Sequence, residues 1–212
     1  MPEGIKLNMG DCIQTIIAIL TLFAVLVALF GDWLKAKMFK PSLNLRLTLS
    51  KGEAVNMRTP NGSLDIPARY FHLLVTNQRG FPAATDVAVF LTACDLVGGN
   101  GQYRRVWTGE VPLRWRHQEL YPLFRTVGPA IDCDLVCIMK GKGVSLLPIV
   151  YPNNLPIHWT DPFDMIVSAV VRHREGESIP YRIKITWDGK WHDGENELAQ
   201  HFAVVILDPP NV

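Results

Sequence analysis

Arg114, Trp115, Arg116 and His117 set two guanidinium groups and an imidazole around an indole within four consecutive residues. Planar donors beside an aromatic ring can grip an acidic ligand or stack on a flat one. Arg104, Arg105 and Arg125 lie near in sequence, and residues 103–142 carry seven basic and four acidic side chains. The segment is therefore read as a binding surface for an anionic small ligand or a protein partner, contacted by Arg114, Trp115, Arg116 and His117. A strand that buries Leu113 and Trp115 and leaves the arginines in water is the alternative.

The other reactive side chains do not fall into catalytic spacings. Histidines 72, 117, 158, 173, 192 and 201 form no His-x-x-x-His pair and stand at no zinc spacing with cysteine. No Gly-x-Ser-x-Gly elbow, phosphate-cradling loop or dinucleotide fingerprint is present. Cys133 and Cys137 are four apart, so strict alternation puts both on one face of a strand, with Asp132 and Asp134 on the other. They read as small buried side chains. Asp188, Asp193, Glu195 and Glu197 lack the ligand pattern of a calcium loop and read as a solvated loop. No catalytic residue, metal or cofactor is expected, and a net charge of +1 gives no field that would attract nucleic acid.

Strands must position these residues. Leu43, Leu45, Leu47 and Leu49 alternate with Asn44, Arg46, Thr48 and Ser50, a period of two. Further strand-like runs are 70–76, 85–94, 133–140, 144–150, 165–172, 181–187 and 201–207, with weaker ones at 54–58 and 103–107. Gly, Pro and Asn turns separate them, as in an antiparallel sandwich or barrel. Asp188-Gly189 between Trp187 and Trp191 predicts a tight hairpin with the two indoles facing each other. Lys140-Gly141-Lys142-Gly143 predicts a second hairpin turn, and Asn77-Gln78-Arg79-Gly80 a turn between apolar strands. Residues 195–200 predict one turn of helix.

Residues 12–30 contain no charge and span about 28 Å as a helix, close to the hydrocarbon thickness of a bilayer. They are read as an uncleaved transmembrane helix, since a signal peptide has a basic start and a shorter apolar core. Asp11 is placed as its N-cap, and Pro41 ends the helix at or before Lys40. Trp33, Lys35, Lys37 and Lys40 suit the membrane interface. Only Lys6 precedes the span, whereas Lys35, Lys37, Lys40 and Arg46 follow it, so the carboxy-terminal domain is expected in the cytoplasm of a bacterial cell, on the inner membrane. Ala18, Thr21, Ala24 and Ala28 make a small helix face suited to close packing with a second copy. The division is a tail at 1–11, the span at 12–30, a juxtamembrane extension at 31–41 and a β domain at 42–212.

Residues 70–80 followed by 83–91, YFHLLVTNQRG then AATDVAVFL, resemble the strand–turn–strand pattern of bacterial immunoglobulin-like sandwiches. The wider layout resembles uncharacterised bacterial membrane proteins with one amino-terminal span. These resemblances imply an all-β, antiparallel immunoglobulin-like β-sandwich behind a single transmembrane helix. The expected function is a membrane-anchored recognition or oligomerisation module without catalytic activity, with the lipid bilayer and a second copy as partners. An alternative is a membrane-disrupting effector of a bacterial antiphage defence system, similar in layout and triggered through its β domain. A further alternative is a hydrolase with a site built from dispersed histidines.

Overall fold

The structure is a computed structural model and describes residues 9–38, 41–58, 65–78, 83–98, 101–116 and 123–207. The chain divides into two units, residues 1–40 and 41–212.

In the first unit the described residues form one helix, α1 (Met9–Met38). Within it Ile13–Gly31 has a mean hydropathy of 2.7, and the helix is long and apolar enough to cross a membrane. Ile17, Leu20, Phe23, Ile19, Leu22 and Leu29 point in different directions around the helix, yet each is more than half exposed. Asp11 falls inside the first turn and not ahead of it, so it is no N-cap. Thr21 Oγ1 donates to the Ile17 carbonyl at 2.8 Å. Ala18, Ala24 and Ala28 are exposed on the same helix. Trp33, Lys35 and Lys37 lie on its last turns, while Lys40 is outside the described residues.

The second unit is built from β1 (Leu43–Leu47), β2 (Glu53–Arg58), β3 (Asp65–Asn77), β4 (Ala84–Val97), β5 (Tyr103–Pro112), β6 (Arg125–Val127), β7 (Ala130–Met139), β8 (Gly143–Leu146), β9 (His158–Trp159), β10 (Phe163–His173), β11 (Gly176–Glu177), β12 (Tyr181–Trp187), a short helix α2 (Glu195–His201) and β13 (Phe202–Leu207). Every pairing is antiparallel. One sheet runs β1-β3-β7-β8-β9, with β2 beside β1 on β3. The other runs β13-β12-β10-β4-β5, with β6 on β4 and β11 on β10. The resembling stretch therefore changes sheet between β3 and β4.

The inner faces share one core. Phe71, Leu73 and Val75 of β3 and Cys133, Leu135, Val136 and Ile138 of β7 belong to the same buried cluster as Val89 and Leu91 of β4, Met165 and Val167 of β10 and Ile183 and Ile185 of β12. Phe71 and Phe202 join the sheets directly, with ring centroids 5.0 Å apart. Each such side chain contributes about 1.5–3 kcal/mol by leaving water.

One local expectation changes and another holds. The Trp187–Trp191 segment is no hairpin. Trp187 ends β12, whose partner β13 begins only after α2, with Trp187 opposite Phe202. Asp188 Oδ1 instead accepts from the Lys190 backbone at 3.0 Å, an Asx-type turn that sends the chain into α2. The Lys140–Gly143 hairpin is present, joining β7 to β8 with Met139 opposite Gly143. Gly143 has φ +90°, and a Cβ there would lie 2.1 Å from the Trp159 carbonyl oxygen.

Candidate functional site

Register gathers chemistry on the outer face of the first sheet. Glu53, Tyr70, Cys137, Ser145 and His158 stand directly opposite one another in turn across β2, β3, β7, β8 and β9. Directly opposed residues of an antiparallel pair share a face. Tyr70 and His72 are two apart on β3, so His72 belongs to this face too.

A β-bulge supplies the acid. Phe71 pairs with Val136 but His72 pairs with Asp134, which leaves Leu135 as an extra residue in β7. The bulge keeps Leu135 and Val136 both in the core and reverses the alternation beyond them. Cys133, opposite Leu73, faces the core, whereas Cys137, opposite Tyr70, faces outward. The expectation that both cysteines share a face fails for this reason.

Segment 113–116 completes the face. Its backbone continues the sheet beside β7, with the Arg116 N–H donating to the Asp132 carbonyl at 3.0 Å and the Asp134 N–H to the Arg114 carbonyl at 2.7 Å. Leu113 and Trp115 are each 1% exposed, so the arginines alternate outward.

The side chains form a continuous polar chain. His72 is 5% exposed. Its Nδ1 lies 2.8 Å from Asp134 Oδ1, and its Nε2 lies 3.4 Å from Glu53 Oε2. Arg116 Nη2 donates to the same Glu53 oxygen at 2.5 Å, and Nη1 reaches Asp132 Oδ2 at 3.5 Å. Thr48 Oγ1 donates to Asp132 Oδ1 at 2.6 Å. Tyr70 stacks on His72, rings 6.0 Å apart and 13° from parallel. Burial, with the nearby Cys137 and Asp134, pushes the Tyr70 phenol up to about 12. Glu53, Tyr70, His72, Arg116 and Asp134 border a cleft of about 180 Å³.

The arrangement can hold and relay a proton. With one proton the imidazole donates to one carboxylate, and with two it bridges both. It is not an open anion cradle, because Arg116 already lies between Glu53 and Asp132. An incoming anion would have to displace a carboxylate from it.

The residues singled out by sequence separate accordingly. Trp115 is a core residue whose Nε1 donates to the Leu123 carbonyl at 2.9 Å, so its ring offers no stacking surface. Arg116 joins the Glu53–His72 network, Arg114 lies beside it half-buried, and His117 lies outside the described residues. Arg104 and Arg105 are on β5 of the other sheet, where Arg105 is hydrogen-bonded to Asp95. Arg125 is on β6, so the basic residues of 103–142 do not form one patch.

The described histidines do not converge either. His158 Nδ1 meets Ser145 Oγ at 2.8 Å, His173 Nδ1 meets Glu175 at 3.0 Å and His201 Nδ1 meets Asp188 at 2.6 Å. His192 stacks on His201 at 4.4 Å. Among the described residues no carboxylate joins the Ser145–His158 pair, and no group of three or more His, Cys, Asp or Glu side chains is placed to hold a metal ion. Cys94 and Cys137 are pushed up to about 12 by burial, and Cys133 well above its ordinary value, so none is a ready nucleophile.

Glu53, His72 and Asp134 were missed from sequence. The one local signal was His72 itself, a titratable residue inside the apolar run 70–76.

No family model matches the chain, and no curated protein or solved structure matches it.

Proposed function

We propose that the chain is a single-pass protein of the bacterial inner membrane whose cytoplasmic, immunoglobulin-like β-sandwich is a recognition or oligomerisation module with no catalytic step of its own. The observation that carries the reading is the helix. Apolar side chains from Ile13 to Phe30 are exposed around its whole circumference. Such surface is unfavourable in water by about 25 cal/mol per Å² and finds its solvent in lipid. The basic residues Lys35, Lys37, Lys40 and Arg46 support the cytoplasmic orientation. Two antiparallel sheets on one core, with a change of sheet between β3 and β4, support the immunoglobulin-like arrangement. Buried thiols and scattered histidines favour recognition over catalysis.

Alkaline carbonate extraction tests the anchor. The full chain is expected to stay in the membrane pellet, and Leu20→Lys with Phe23→Lys to release it. Release of the wild-type chain overturns the anchor. A phosphatase fused after Val212 is expected to be inactive, and an active fusion overturns the orientation. Helix-dependent toxicity on overexpression would turn the reading to a membrane-disrupting effector.

A further inference from the structure

A buried guanidinium held only by long hydrogen bonds borders a cleft of the β domain. Arg69 faces the same way as its register partner Ile138, a core residue. Its side chain is 9% exposed. Among the described residues its nearest acceptors are the Lys51 and Gly52 carbonyls, both at 3.4 Å, with Glu195 Oε2 at 3.9 Å. Ordinary N–H···O bonds lie at 2.7–3.2 Å, and a buried charge needs close partners to repay its desolvation.

Of the neighbouring carboxylates, Asp193 is committed elsewhere and Glu195 is shared between Arg69 and Lys51. Asp193 takes Lys140 Nζ at 2.9 Å on both oxygens and Trp191 Nε1 at 2.8 Å. Lys51 Nζ binds Asn196 Oδ1 at 2.7 Å and stands 3.7 Å from Glu195. Arg69 borders a cleft of about 320 Å³ with Val55, Pro67 and Trp191 in its walls. That is the lower end of the range for small-molecule pockets. Trp191 also walls a second cleft of about 200 Å³ together with Trp187 and Lys142. The half-buried indole thus stands between two hollows.

We propose that this cleft binds a small organic carboxylate, its two oxygens on the Arg69 guanidinium and its flat or apolar body against Trp191 and Pro67. Guanidinium and carboxylate match as a planar fork, and an indole face suits a flat body. Arg69 faces the opposite side of β3 from Tyr70 and His72, so the site does not use the Glu53–His72 network, and it does not depend on how the chain is anchored.

The test uses the full chain in lipid nanodiscs and ligand-detected saturation-transfer NMR, with benzoate as probe and benzamide as its neutral isostere. Empty nanodiscs correct for lipid binding. Benzoate is expected to saturate in the range of about 1–10 mM, and benzamide to bind at least about tenfold more weakly. Arg69→Met, of similar length and without charge, and Trp191→Leu are each expected to weaken benzoate about tenfold or more. Equal affinity for the two probes, no saturation by benzoate, or unchanged benzoate binding in a folded Arg69→Met protein overturns the proposal. The probe comparison uses only wild-type protein, so the result stands even if a variant fails to fold.

Discussion

The imidazole of His72 meets the carboxylate of Asp134 at 2.8 Å because β7 carries one residue more than β3 at that point. Without Leu135 as the extra residue, Asp134 would stand opposite Leu73 and face the core. The same bulge puts Cys137 and Cys133 on opposite faces, and on the outer face His72 and Arg116 share the Glu53 carboxylate. One inserted residue therefore converts an apolar strand pair into the floor of a charged cleft.

Removing the acid should expose this dependence. Asp134→Ala leaves the Nδ1 of a buried imidazole without its partner, at a cost of about 1–3 kcal/mol. For a domain of this size, each kcal/mol lowers Tm by about 2–4 °C. Near-ultraviolet circular dichroism of the full chain should show a loss of about 4–8 °C for a cost of ~2 kcal/mol. Asp134→Asn keeps an acceptor and should lose less. An unchanged melt in Asp134→Ala would mean that the imidazole finds water in place of the acid.

The segment 113–116 should divide by alternation. Trp115→Ala empties a fully buried site and should cost about 3–5 kcal/mol. Arg116→Ala strips a donor from two partly buried carboxylates and should cost about 1–3 kcal/mol. Arg114→Ala, which breaks no hydrogen bond or ion pair among the described residues, should stay within about 0.5 kcal/mol. Urea midpoints of the variants check the order. If Arg114→Ala costs more than Arg116→Ala, the Glu53–Arg116–Asp132 bridge is not what holds the segment.

Local pattern made the elements legible and left the site hidden. The charge-free run at 12–30, the alternation from Leu43 and the glycines of 140–143 each act within a few residues, and each predicted its element. Glu53, His72, Arg116 and Asp134 lie on separate segments, and only strand register brings them together. The bulge leaves no mark in composition, so period two misplaced Cys137. Trp187-Asp-Gly-Lys-Trp191 misled for a related reason. Its turn chemistry is real, since Asp188 and Gly189 do turn the chain, but β12 finds its partner beyond α2. In the Arg114–His117 segment the alternation was readable, and it already contained the burial of Trp115 that removes the ring from any ligand surface.

Alkaline pH should weaken the fold. Burial raises Cys94 and Cys137 from an ordinary 9.0 to about 12, and Tyr70 from 10.0 to about 12. The unfolded chain therefore releases these protons at lower pH than the folded one. Above pH 9 the folded state binds more protons, so stability falls as pH rises. The contribution is fully present below about pH 9 and is lost progressively toward about pH 12. Urea midpoints at about pH 7.5 and about pH 10.5 should show the drop, and Cys94→Ala with Cys137→Ala should make it smaller. A midpoint that does not change over this range would mean that these thiols are solvated in the folded protein.

The helix prediction turns on Thr21. Its hydroxyl already donates to the Ile17 carbonyl at 2.8 Å, so it has no need of an acceptor on a neighbouring helix. What the Ala18–Thr21–Ala24–Ala28 face offers a second copy is a close approach of backbones, which bulk destroys. Ala24→Ile with Ala28→Ile should reduce association in a membrane two-hybrid reporter by about 1–2 kcal/mol, or about five- to thirtyfold. Thr21→Ala removes the hydroxyl but keeps the face small, and should leave the signal close to wild type. Leu22→Ala, on another face, should also leave it unchanged. A strong loss from Thr21→Ala would replace close packing with an interhelical hydrogen bond, and an equal loss from Leu22→Ala would remove the case for this face.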